Sequence, residues 1–224
     1  MVTALTVQDT TGVRWFEAVA PALVVEQARA VLEDMPIAAI KIGMLASPDI
    51  VVAISGVVRR YPRTPLIIDP VLASGRGDPL STTPICAALV DHLLPQALIV
   101  TPNSEEARLL APDADTLDAC AQELLSLGVQ YVLITGTHEA TPEVCNRLYT
   151  NHRLLESYHW PRLPDSYHGS GCTLASACAA AIAHGADPVG AVAQAQSFTW
   201  SALNHGWALG RGQLLPNRFF RNIR

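Results

Sequence analysis

Apolar residues along this chain keep switching rhythm, from alternation to helical spacing and back, and the switches divide it into elements. Val2, Leu5 and Val7 give a β-type start over Met1 to Val7, broken by the turn residues Gln8-Asp9-Thr10-Thr11-Gly12. Leu23, Val24, Ala28, Val31 and Leu32 fall on one face of a helix from Pro21 to Met35. Ile37 to Ile42 is a short β-rich run closed by Gly43. Ser47-Pro48-Asp49 starts the next helix, with a capping hydroxyl, a proline at the first position and an acid in the first turn. That helix reaches about Arg60, before Pro62.

The same alternation continues to the end of the chain. Leu66-Ile67-Ile68 is a buried strand running into Asp69-Pro70, followed by a Gly-rich loop, Ser74 to Pro79, and a helix from Thr82 to Leu94. Ala97 to Val100 is a strand ending at Thr101-Pro102-Asn103. Helices follow at Ser104 to Leu110 and Leu117 to Leu127, the latter closed by Gly128. Tyr131 to Ile134 is a strand ending at Thr135-Gly136-Thr137, and Val144 to Trp160 reads as a hairpin turning at Asn151-His152. One helix ends at His184-Gly185 and a last one runs from Pro188 to His205. Strand and helix in turn predict an α/β fold, a largely parallel sheet with helices on both faces, and no linker or repeat divides residues 1–224.

Composition narrows the class. Half of the 224 residues are hydrophobic and only 16% are charged, as a sheet buried on both faces requires. A net charge of −5 without any Lys/Arg cluster argues against nucleic-acid binding. Five scattered cysteines, with no Cys-x-x-Cys, argue against a disulfide framework or structural zinc and fit reduced thiols in a cytoplasm. Residues 166–186 and 188–210 lack Asp, Glu, Lys and Arg apart from Asp187 between them, but their His, Gln and Asn residues make them buried helices of a soluble core rather than membrane spans.

Parallel sheets bind ligands at the carboxyl ends of their strands. Here those positions carry Gln8, Gly43 and Met44, Asp69, Asn103 and Glu106, and Gly136, a set that ordinary loop composition also yields in part. The sharpest signal is His168-Gly169-Ser170-Gly171-Cys172-Thr173, leading into a small-residue helix. Its glycines let amides converge at a helix start, an anion cradle, and Cys172 sits where a thiolate is favoured. The same residues also fit a plain glycine turn with Cys172 as a small core residue. The spacing matches neither a Rossmann fingerprint nor a Walker A loop.

Taken in order, Lys41-Ile42-Gly43-Met44-Leu45, Asp69-Pro70-Val71-Leu72, Thr101-Pro102-Asn103 with Glu106, and the His168–Thr173 motif resemble the hydroxymethylpyrimidine/phosphomethylpyrimidine kinases of thiamine biosynthesis, in the ribokinase-like superfamily. The resemblance covers nearly the whole chain. It implies a three-layer α/β/α fold, a likeness of chemistry to ATP- and Mg²⁺-dependent kinases, and a homodimer. It implies Gln8, Met44 and Val71 at the aminopyrimidine; Asp69, Asn103, Glu106 and Gly136 around the nucleotide; and Asp69 and Glu106 about Mg²⁺. Gly169, Ser170 and Gly171 become the anion hole for the transferred phosphoryl group, and Cys172, with a lowered pKa, the base for the hydroxymethyl proton.

The sequence departs from the family pattern at Thr135, where a lysine is frequent, and in a short loop before the anion hole. The resemblance also places a strand and a Gly-rich loop with a substrate-side aspartate ahead of Met1. The chain is therefore expected to lack a central βα unit, with Val2 to Val7 as second strand of the sheet, and to be poorly soluble and nearly inactive as written. Two other functions fit the same residues: a pyridoxal/pyridoxine kinase of the superfamily, and a catalytically weak pyrimidine-binding protein.

Overall fold

The computed structural model describes residues 1–72 and 83–222. The predicted Gly-rich loop and the predicted helix start at Thr82 lie outside them. Among the described residues, eight strands and seven α-helices run in the order β1 (Ala4–Asp9), β2 (Gly12–Ala18), α1 (Pro21–Asp34), β3 (Ile40–Ile42), α2 (Pro48–Val58), β4 (Leu66–Ile68), α3 (Thr83–Ala88), β5 (Ile99–Val100), α4 (Ser104–Leu110), α5 (Leu117–Ser126), β6 (Tyr131–Ile134), β7 (Glu143–Thr150), β8 (Arg153–Pro161), α6 (Ser170–Ala183) and α7 (Pro188–Asn204). Past α3 the chain loosens into a π turn, Leu89–Leu93, and a 3₁₀ turn, Leu94–Gln96, where Pro95 cannot continue an α-helix.

The central sheet has the order β3-β4-β5-β6-β7-β8. β3 to β6 are parallel, and the β7–β8 hairpin adds two antiparallel strands at one edge. Alternate side chains of each strand face opposite layers. Ile67, Ile99, Leu133 and Leu148 pack against Leu174, Ala175, Cys178, Val192 and Ala195 of α6 and α7. Ile42, Ile68, Val100, Val132 and Ile134 pack against α1 to α5 on the other side. This is the expected three-layer ribokinase-like α/β/α arrangement. The small residues of α6 let it lie close to the sheet, which brings its first turn over the strand exits.

Side-chain caps fix several helix starts. Ser47 accepts from the Ile50 amide at 3.3 Å, Thr116 from Ala119 at 3.1 Å and Asp187 from Val189 and Gly190 at 3.0 Å each. Among the described residues no helix is long and apolar enough to cross a membrane.

One expectation is overturned. The Met1 to Val7 segment does not enter the central sheet: β1 pairs antiparallel with β2 as a separate two-stranded ribbon. Gly12–Ala18 was left unassigned by its pattern because Arg14 and Glu17 interrupt it and neither face meets the core. The turn between the strands is held by Asp9, whose Oδ1 accepts from the Thr11 amide at 2.7 Å. The ribbon is tied at both ends. Thr3 Oγ1 donates to the Met44 carbonyl at 2.7 Å, and the Gln213 amide donates to the Thr10 carbonyl at 2.8 Å. The Leu214 carbonyl in turn accepts from the His168 amide at 2.9 Å, so the ribbon reaches from the exit of β3 to the segment beside the glycine motif.

Candidate active site

α6 is the helix whose start the sequence singles out, and it starts without a side-chain cap. Its N-cap is Gly169 at φ +83°, a left-handed conformation that glycine takes without strain. Its first hydrogen bond is Thr173 N–H to the Gly169 carbonyl at 3.0 Å, which leaves the amides of Ser170, Gly171 and Cys172 without intrahelical partners. Free amides and the positive end of a helix of fourteen residues favour an anion.

β4 runs directly into Asp69, which is 4% exposed and faces this turn. A Cβ on Gly171 would stand 3.6 Å from Asp69 Oδ1, so the carboxylate lies directly against the cradle. Asp69 Oδ2 is paired with Lys41 Nζ at 3.1 Å. A lysine in the middle of the apolar β3 is the visible signal for that pair, yet Lys41 carries no role in the sequence reading. Its ammonium comes so near Gly43 that a Cβ there would be 2.7 Å away.

Cys172 is exposed as a residue, while its sulfur lies beside the Asp69 carboxylate. Loss of hydration first, and the Asp69 carboxylate second, push its thiol up to about 11, against the weaker pull of Lys41 and Arg218. The expectation of a lowered pKa is therefore wrong for the ligand-free site. The helix start favours a thiolate, but a carboxylate accepting the S–H disfavours it more.

Glu106 is buried and doubly engaged. Its Oε1 accepts from the Leu72 amide at 3.0 Å and its Oε2 from the Asn103 amide at 2.9 Å. Asn103 Oδ1 accepts from the Glu106 amide at 2.8 Å, closing a reciprocal cap on α4. Burial raises the Glu106 carboxyl to about 7, with the nearby Asp69 charge adding to the rise. Two acids that repel each other and offer hard oxygens match Mg²⁺ held through water. Among the described residues no group of three His, Cys, Asp or Glu forms a closed metal cluster.

Not every predicted residue joins this cluster. Met44 lines an apolar cavity of about 440 Å³ between α1, α2 and β3, whose wall also includes Lys41 and Gly43. The cavity thus adjoins the acidic cluster through the Lys41–Asp69 pair. Val71 is at φ +44°, a strained position for a β-branched residue, beside Gly43. Gln8 lies on the exposed ribbon rather than at an exit of the central sheet. Gly136 is committed elsewhere: its amide donates to Asn146 Oδ1 at 3.0 Å, and a Cβ would fall 2.3 Å from the Cys145 carbonyl. That packing accounts for the glycine without a nucleotide.

Arg218 is the residue sequence reasoning missed without any signal. It lies in the irregular C-terminal segment, and its Nε donates to Thr173 Oγ1 at 3.1 Å.

Acids at parallel-strand exits, facing a glycine cradle at an uncapped helix start, define the class: a ribokinase-like small-molecule kinase. The phosphomethylpyrimidine kinase family matches residues 1–217. A hydroxymethylpyrimidine/phosphomethylpyrimidine kinase of Mycobacterium tuberculosis is 39% identical over 98% of this chain and 82% of its own length. The crystal structure of a phosphomethylpyrimidine kinase from Clostridium difficile superimposes with TM-score 0.73 at 31% identity, over 88% of this chain and 83% of that one. The pyridoxal kinase of Staphylococcus aureus, in complex with AMP-PCP, superimposes with TM-score 0.87 at 26% identity, over 99% and 82%. The chain belongs to the phosphomethylpyrimidine kinase family.

Proposed function

We propose that this enzyme transfers the γ-phosphoryl group of ATP to the hydroxymethyl oxygen of 4-amino-5-hydroxymethyl-2-methylpyrimidine, and then phosphorylates the monophosphate, in thiamine biosynthesis. The carrying observation is the contact of Asp69, Cys172 and the uncapped Gly169–Gly171 turn at one point. The γ-phosphorus bond to the bridging oxygen breaks, its electrons leave with ADP, and the alcohol oxygen forms the new ester bond. The alcohol proton passes to Cys172 sulfur while the thiol's own proton passes to Asp69. This relay suits a thiol that is protonated at neutral pH. It also suits phosphoryl transfer, in which the alcohol loses its proton late. The amides of Ser170 and Gly171 receive charge on the equatorial oxygens.

Asp69 and Glu106 would hold Mg²⁺ through water, where it would supply charge neutralisation at the phosphates. Asn103 fixes Glu106 for that task through the reciprocal cap. Met44 and Val71 wall the pyrimidine, while Gln8, exposed on the ribbon, is left without a part in holding it. A homodimer covers the ribbon's exposed apolar face: Leu5, Val7 and Trp15 are 60%, 43% and 56% exposed, and Val7 and Trp15 are cross-strand partners. The enzyme is cytoplasmic, in keeping with its free thiols.

The fold is shared with pyridoxal kinases, so substrate choice is the decisive test. ADP release with the pyrimidine alcohol and with pyridoxal, at equal concentrations, should favour the pyrimidine at least tenfold in kcat/KM. Equal turnover, or preference for pyridoxal, would reassign the substrate.

A further inference from the structure

The anion cradle stands in an acidic corner. Asp69 lies against Gly171, Glu106 is close enough to feel its charge, and the nearest lysine, Lys41, is taken up by Asp69. Apart from the Mg²⁺ that these two carboxylates would hold, the groups named so far that attract a phosphoryl group are backbone amides. Arg218 changes that balance. Its Nε is fixed on Thr173 Oγ1 at 3.1 Å, and that hydroxyl is itself oriented by donating to the Gly169 carbonyl at 2.7 Å. Its Nη2 would stand 3.4 Å from a Cβ on Gly169, so the guanidinium borders the open side of the cradle. None of the ion pairs among the described residues includes Arg218.

The backbone carrying this arginine is anchored. Asn217 is wholly buried, its amide donates to the Ala202 carbonyl of α7 at 2.8 Å, and its Oδ1 accepts from the Phe219 amide at 3.0 Å. A guanidinium held at one nitrogen, with Nη2 beside the N-cap glycine of the cradle, has donors left for bidentate recognition of phosphate oxygens. Its charge also reaches Cys172 Sγ, which locates it within the reacting group's surroundings.

We propose that Arg218 is a catalytic residue that contacts the γ-phosphoryl group during transfer, an arginine finger supplied by the chain's own C-terminal segment. The assignment rests on the kinase reading above but does not depend on which alcohol is phosphorylated. It neutralises equatorial oxygens of the moving phosphoryl group while the glycine amides hold the others. No bond or proton is added to the reaction.

The test compares wild type with Arg218→Gln and Arg218→Lys in turnover and in nucleotide affinity. Turnover of the glutamine variant should fall about 100- to 1,000-fold, with KM for the alcohol within about twofold, and lysine should recover at least a tenth of the lost rate. Affinity for a non-hydrolysable ATP analogue should fall about tenfold while that for ADP stays within about twofold, because only the analogue carries the γ group. Should the glutamine variant fail to fold, the lysine variant must show the same split between analogue and ADP, to a smaller degree. Equal weakening of ADP and analogue, or turnover within threefold of wild type, would overturn the assignment. The binding comparison needs no alcohol, so wild type that binds nucleotide but leaves the pyrimidine unphosphorylated defeats the substrate reading alone.

Discussion

A thiol at a helix start is ordinarily acidified, and Cys172 is the reverse because its sulfur loses hydration and, second, because a carboxylate faces it. The sequence placed Cys172 and Asp69 at separate strand and helix ends, and only the fold brings them together. Alkylation of Cys172 in the ligand-free protein, followed by mass spectrometry of its peptide, should rise with a midpoint near pH 11. A midpoint below the ordinary thiol value would remove the Asp69 contact from the account. Cys172→Ala should lower kcat on the order of 10²–10⁴-fold with pyrimidine binding retained, the usual range for a proton-accepting group.

Glu106 gives a second residue-scale prediction, with its sign set by burial. Its folded carboxyl titrates near 7, above its ordinary 4.5. The folded state therefore holds the proton more tightly, and the stability this contributes is fully present below about 4.5 and lost as pH rises through about 7. Relative to Glu106→Gln, wild type should lose on the order of 1–3 kcal/mol of urea-unfolding free energy between about pH 5 and pH 8. A difference that is constant or grows across that range would contradict the raised value. The same titration should weaken nucleotide and Mg²⁺ binding below neutral pH, where Glu106 becomes neutral.

At the scale of elements, periodicity was a good guide wherever one face met the core. The hairpin expected about Asn151-His152 forms as β7 and β8, with both turn residues at positive φ. Ser104–Leu110 forms as the expected helix, and Asn103 and Glu106 cap it reciprocally. The pattern failed at β2, whose two faces are both largely exposed, so no buried face imposes a rhythm on it. A two-stranded ribbon with this little burial is marginal alone. Its apolar face is left exposed, and this is the face that we propose a second copy of the chain covers. Trp15→Glu combined with Val7→Glu should shift the protein from dimer to monomer in sedimentation velocity, with the central fold intact by circular dichroism. An unchanged sedimentation coefficient would dissociate the ribbon from assembly.

For the whole molecule, the residues that were legible are those at the carboxyl ends of parallel strands, because topology alone sends them to one rim. Asp69, Asn103, Glu106, Gly43 and the His168–Thr173 motif all meet there. Gly136 lies on the same rim but is explained by close packing on β7, a constraint no local pattern records. Lys41 and Arg218 enter from partners far away in sequence, which spacing cannot reveal. The arrangement they complete is an uncapped helix start next to a thiol–carboxylate pair, which we propose receives the moving phosphoryl group. The most direct test is ³¹P NMR of the wild-type protein with ATP, Mg²⁺ and the hydroxymethylpyrimidine. The account predicts a new phosphomonoester signal coupled to the substrate's methylene protons, formed one for one with ADP and followed by a diphosphate. ADP accompanied only by inorganic phosphate, or no loss of ATP at all, would contradict it.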